Sequence, residues 1–182
     1  AFDESATYQT RIPGTFSLDN FEAVLTPQTT FIPIGNSILL STSTAVINVL
    51  VALLAAYPLS RYRSRFHRGF MYGVLLGTCL PITAIMVPVY SLFVFFGLLD
   101  SMVGTILFLT SASLPMAIFM TKNFMDAVPV SLEEAAWIDG ASAMKALRTV
   151  VIPLMRPGIA VVFVFVFLQA WGNFFVPFVL LF

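Results

Sequence analysis

The chain has 182 residues, 59% of them hydrophobic and 10% charged, with a formal net charge of zero and a mean hydropathy of +0.95. So little polar surface cannot coat a water-soluble globule of this size, and the composition is that of a membrane protein. Nineteen Phe against nine Lys plus Arg leave no basic stripe for phosphates, which excludes nucleic acid as a partner; one cysteine, Cys79, and one histidine, His67, offer no metal, haem or redox site.

In chain order, residues 1–35 are polar and turn-rich, with Asp3, Glu4, Asp19 and Glu22 against the single base Arg11, and Pro13-Gly14 as punctuation. This stretch is expected to lie outside lipid. Apolar segments follow at about 36–60, 69–99, 102–120 and 157–182, each long enough to cross a hydrocarbon core of about 30 Å. Four spans in an all-α, polytopic helix bundle are predicted.

Eight of the nine Lys and Arg fall in two connections, 61–68 (Arg61, Arg63, Arg65, Arg68) and 122–156, and none in the turn around Asp100. The excess of positive charge on cytoplasmic loops makes those two connections cytoplasmic and residues 1–35 external. An external start with no basic-then-apolar leader implies an earlier span, and an end inside an apolar run at Phe182 suggests an internal segment of a longer protein.

The first span stacks Ser37, Ser41, Thr44 and Asn48 on one helical face. That face either lines the route of a hydroxylated solute or bonds its own backbone and a neighbouring helix. Asn48 is the stronger pathway candidate, because an amide is harder to satisfy within its own helix. Gln169 and Asn173 in the fourth span are similar candidates. The second span would be about 45 Å long as a straight helix, so it must break or tilt; Pro81 and Pro88 lie in it, either as breaks facing protein or a water-lined cavity or as ordinary kinks packed against neighbours.

Region 122–156 is the long cytoplasmic connection, and it carries two short helix patterns. Ser131 and Glu134 form a capping-box pair, predicting a helix from Ser131 through Leu132, Ala135, Ala136 and Ile138, stopped by Asp139-Gly140. A second helix is predicted from about Ser142 through Met144, Leu147 and Val150 until Pro153. Helices of about ten residues do not hold alone in water, so this hairpin is built to dock on something. The alternative is an amphipathic hairpin on the lipid surface, which calls for a basic face; Glu133, Glu134 and Asp139 are acidic, and an anionic leaflet disfavours them.

Glu134-Ala135-Ala136, then Asp139-Gly140-Ala141, then nine residues after Gly140 the run Val150-Val151-Ile152-Pro153, and Arg156-Pro157-Gly158, resemble the EAA loop of membrane subunits of ATP-binding-cassette importers. Beyond the loop, Phe16-Ser17-Leu18-Asp19-Asn20-Phe21, Ala55-Ala56-Tyr57, Pro88-Val89-Tyr90, Gly97-Leu98-Leu99-Asp100 and Trp171-Gly172-Asn173-Phe174 are similar to carbohydrate-importer permeases of the maltose-transporter type, the subunit without a large external domain. Two features depart from that pattern: six spans are usual there, and Trp171-Gly172-Asn173 replaces the commoner Trp-Asn pair.

The resemblance implies a type I importer permease fold and no catalytic residue or cofactor. It implies a coupling surface at Glu133, Glu134, Ala135, Ala136, Asp139, Gly140, Ala141 and Pro153, seated in a cleft of an ATPase subunit. Within it Glu134 would cap its helix and reach a basic group of the ATPase, Ala135 and Ala136 would allow close approach, Gly140 would turn the chain, and Pro153 would end the second helix. A sister permease, an external sugar-binding protein, membrane lipid and a carbohydrate substrate complete the implied set of partners. The residues themselves agree on the need for a motor: with Lys122 and Lys145 the only lysines, there is no P-loop. Rival readings are a permease of this architecture for glycerol phosphate or a peptide, and an ion-coupled transporter or channel. The second expects ionisable residues inside the spans, and the span interiors contain none.

Overall fold

The computed structural model of the chain describes residues 19–62, 65–79 and 81–181. Residues 1–18 of the expected external segment, Arg63 of the basic cluster and Phe182 lie outside the described residues, as do the side chains of Arg65, His67 and Arg68. By its internal contacts the chain divides into units at 1–39 and 40–182.

In the first unit, α1 (Asp19–Val24) precedes a π-helical turn (Pro27–Phe31) that leads into α2 (Ile32–Arg61). Thr26 stands at the N-cap with extended backbone, its Oγ1 accepting the Thr29 N–H at 3.3 Å, and Pro27 takes the first helical position. The hydroxyls of Thr29 and Thr30 donate back to the Val24 carbonyl. Residues 27–35 are therefore helical where a turn-rich stretch was expected: a Thr-Pro pair starts a helix as an N-cap and N1 rather than breaking one.

The second unit holds the rest of α2, then α3 (Arg65–Gly77), α4 (Ile82–Phe96), α5 (Met102–Asp126), α6 (Val130–Ile138), α7 (Ala143–Ala146), a second π-helical turn (Leu147–Val151), α8 (Ile152–Leu154), α9 (Arg156–Trp171) and α10 (Phe175–Leu180). The buried face of α2 runs Ser41, Ala45, Asn48, Ala52, Ala56, a helical spacing in which the alanines let neighbouring helices come close. Along it lie three buried clusters. Leu40 joins Phe93, Leu109 and Leu180 at one end; Ala45 and Ala52 join Ile118, Val162 and Val166 in the middle; Leu53 and Ala56 join Met125, Leu147 and Val151 at the other end.

Two continuous helical stretches, Pro27–Arg61 and Met102–Asp126, are each long and apolar enough to cross a membrane. The other two expected spans are broken. The second ends α3 at Gly77 and resumes at Pro81, the N-cap of α4, with the segments on either side meeting at 85°. Of the two prolines, Pro81 stands at the break, whereas Pro88 is absorbed inside α4. The fourth runs through α9, 16 residues or about 24 Å, opens at Gly172, and resumes as α10. Asn173 helps restart it, its Oδ1 accepting the Val176 N–H at 3.1 Å.

The turn between α4 and α5 is fixed by backbone geometry. Gly97 adopts φ 63°, and the N–H groups of Leu98 and Gly97 return to the carbonyls of Phe93 and Val94, closing a Schellman motif. Ser101 then caps α5 by accepting the Gly104 N–H, and the Asp100 N–H donates to the Leu180 carbonyl at 2.9 Å, pinning the end of α10 to this turn.

Candidate functional site

The hairpin built by α6, α7 and the second π-helical turn is the first candidate. Here α6 starts at Val130 with Pro129 as its N-cap and no side-chain cap. The expected Ser131–Glu134 capping box does not form. Proline at φ −58° already sets the entry to the helix, so the first turn begins one residue earlier and leaves both Ser131 and Glu134 exposed. The stop does follow the sequence: Gly140 takes φ 81°, the Ala141 N–H reaches the Ala136 carbonyl at 2.9 Å and the Gly140 N–H that of Trp137 at 3.0 Å, a full Schellman pair. Ser142 caps α7 by accepting the Lys145 N–H, also as expected.

Pro153 does not end the second helix. The chain runs through it to Leu154 and turns at Met155, where the preceding stretch meets α9 at 79°. The π-helical turn explains how: the Ile152 N–H bonds back five residues to the Leu147 carbonyl, so the helix is already widened where the proline ring arrives. The other π-helical turn precedes an Ile-Pro pair too, Ile32-Pro33.

Glu133 is expected, with Glu134 and Asp139, at the coupling surface. It is instead fully buried. Arg61 holds it: Nε and Nη2 of the guanidinium both lie 2.5 Å from Glu133 Oε1, and the Tyr57 hydroxyl donates to Oε2 at 3.0 Å. The remaining N–H groups of Arg61 reach the carbonyls of Met125 and Val128, at the end of α5 and in the turn after it. Next to this node Ser60 Oγ donates to Asp126, which also pairs with Lys122 at 2.5 Å. Tyr57 and Arg61 were the missed residues. Their spacing of four, which puts both on one face of α2, was the available signal.

With Glu133 turned inward, the surface of the hairpin is Glu134, Ala135, Asp139 and Gly140, with Ala136 and Ala141 half-buried. Around them Val130, Leu132, Trp137 and Met144 are exposed, and Ile138 is 87% exposed. Together these side chains form an exposed apolar patch rimmed by Glu134 and Asp139.

The second candidate is a cleft of about 1090 Å³ in the second unit, between the α3–α4 break, the middle of α5 and the opening in the fourth span. Gln169 and Asn173 line it with Thr78, Ser111 and Ser113, and Phe165 and Phe174 supply aromatic wall. The structure thus brings two of the predicted pathway residues together at the cleft. Ser41, Thr44 and Asn48 do not line it: they are buried between helices, with Asn48 Nδ2 donating to the Thr110 carbonyl at 3.2 Å and to Ser113 Oγ at 2.8 Å. Asn48 ties α2 to α5 and touches the cleft only through Ser113. Ser37 is exposed on α2.

Residues 48–181, covering the cleft and the hairpin, match the family described as binding-protein-dependent transport system inner membrane component. The chain belongs to that family. It is 37% identical over 80% of its length to ORF1 of Streptomyces antibioticus, named as an ABC transporter permease protein, covering 64% of that protein. It is 32% identical over 89% of its length to the trehalose transport system permease protein SugB of Mycobacterium tuberculosis, covering 59% of it. Among solved structures, a bacterial ABC transporter involved in the import of the acidic polysaccharide alginate is similar with a TM-score of 0.81 and 26% identity, over 96% of this chain and 62% of that one. The chain thus spans about three fifths of the length of these relatives. The all-helical permease fold expected from the sequence, in an inner-membrane component, is the fold observed.

Proposed function

We propose that the chain is the core of a sugar-translocating permease subunit in an ATP-driven importer. Residues 1–35 face outside, and 61–68 and 122–156 lie in the cytoplasm. There the α6 hairpin seats in a separate ATPase, a sister permease completes the solute route, and an external binding protein delivers the sugar. Closure of the ATPases around ATP would move the hairpins and rock the permease pair between inward-open and outward-open states.

The observation that carries this reading is the uncovered apolar patch around Ile138 and Trp137, on a hairpin whose glycine turn matches the EAA spacing. The cleft supports the solute class. Its polar lining is hydroxyl and amide, its walls are aromatic, and no charged side chain lines it among the described residues. A neutral, hydroxyl-rich ligand satisfies such a surface. A phosphate ester would be held there with no cation to pair it, which disfavours glycerol phosphate.

The test is purification of the assembled transporter followed by ATP hydrolysis and uptake in proteoliposomes. An ATPase and an external binding protein should co-purify, loaded binding protein should raise hydrolysis, and unlabelled neutral oligosaccharides should compete with uptake while glycerol phosphate does not. An assembled transporter whose uptake is competed by glycerol phosphate or a peptide and not by sugars overturns the solute assignment.

A further inference from the structure

We propose that Arg61, Glu133 and Tyr57 form a positioning node that carries movement of the α6 hairpin into α2, so that nucleotide-driven motion reaches the spans through this buried ion pair. The inference rests on the permease reading above. Its basis is geometric. Among the described residues, this is the ionic link between the hairpin and α2, with the Arg61 and Glu133 side chains 5% and 0% exposed. One guanidinium bonds the first turn of α6 through Glu133, the end of α5 through the Met125 carbonyl and the α5–α6 turn through the Val128 carbonyl, while Tyr57 braces the carboxylate from one turn further along α2.

A planar guanidinium gripping a carboxylate fixes direction as well as distance, which a packed apolar contact does not. A buried ion pair is also a poor source of stability, because apolar residues of similar size usually do as well. Its use here is therefore orientation. Because opening the pair would strand a charge in a dry site, the cytoplasmic ends of α2 and α5 and the start of α6 should move as one block. Farther along α2, Asn48 passes that movement to α5 beside the cleft.

The experiment uses the complete transporter in proteoliposomes, with Glu133→Gln, Arg61→Lys, Tyr57→Phe and the double variant Arg61→Met/Glu133→Leu. The two charge variants should keep the ATPase attached and hydrolyse ATP, yet move at least about fivefold less sugar per ATP, with Tyr57→Phe reduced by about twofold. The double variant separates positioning from packing. It should recover the wild-type melting temperature while sugar moved per ATP stays low, whereas recovery of both would overturn the node, as would wild-type sugar per ATP in Glu133→Gln. Spin labels at Leu54→Cys and Ser131→Cys in a Cys79→Ser background read the node without reference to the solute. Their separation should stay within about 2 Å between nucleotide-free and ATP-bound wild type, and spread in Glu133→Gln; a larger change in wild type would overturn rigid transmission. A wild-type complex that hydrolyses ATP but moves no sugar would instead overturn the permease reading, leaving the spin-label result to decide the node.

Discussion

Two glycines do different work, and their substitution separates backbone strain from contact. Gly140 needs φ 81° but has open space where a Cβ would stand. Any side chain at 140 strains the left-handed turn, by about 1–2 kcal/mol, and aspartate is among the residues that can still enter it, as Asp100 does at φ 59°. Gly140→Asp should therefore leave the chain inserted in the membrane at normal amount while uncoupling uptake from hydrolysis; uptake at the wild-type rate with the ATPase attached would remove the hairpin from the coupling surface. Gly158 is constrained by contact alone: a Cβ there would lie 2.6 Å from Phe124 Cγ and 2.8 Å from its Cβ, atoms near the backbone that cannot swing away. Gly158→Ala should cost about 1–3 kcal/mol in thermal unfolding of the purified complex, and Phe124→Ala in the same chain should recover part of it. Neither effect belongs to the ion pair at Glu133, whose burial depends on Arg61, 72 residues earlier in the chain.

Among elements, α6 faces two ways. Its inner side is anchored by Glu133, and its outer side presents Ala135 and Ile138. A Trp at position 135 would enlarge the outer side without touching the anchor, so Ala135→Trp should lower retention of the ATPase in a detergent pull-down by about tenfold while the melting temperature of the permease stays put. Unchanged retention would take Ala135 out of the contact. The hairpin also shows where local signals reach their limit. Gly140 and Ser142 were legible because a Schellman turn and an N-cap need only residues a few positions apart. The capping box at Ser131–Glu134 misled because Pro129 supplies an equally local N-cap two residues earlier. Pro153 misled because a π-helical turn upstream makes room for a ring that would otherwise break the helix.

Across the whole molecule, the orientation rests on the bias of Lys and Arg toward two connections. In a Cys79→Ser background, Ser131→Cys should react with a membrane-impermeant maleimide in inverted vesicles and Asp100→Cys in spheroplasts; the reverse pattern would invert the topology. The apolar character of the four segments was set by composition and length, which survive any packing arrangement; which of them stay continuous helices, as Pro27–Arg61 and Met102–Asp126 do, was not. The two prolines of the second span show the limit: Pro81 stands at a break and Pro88 inside a continuous helix, though each lacks the same N–H. Which polar groups face the cleft was decided only by tertiary structure: Gln169 and Asn173 reach it, while Asn48 is buried and its Nδ2 ties α2 to α5. The same holds for Glu133 against Glu134, adjacent acids of which one is buried on Arg61 and the other exposed. Periodicity and capping act over a few residues and can be read from neighbours in the chain, whereas the partner of a buried charge or amide is supplied by a distant helix and exists only once the helices have packed.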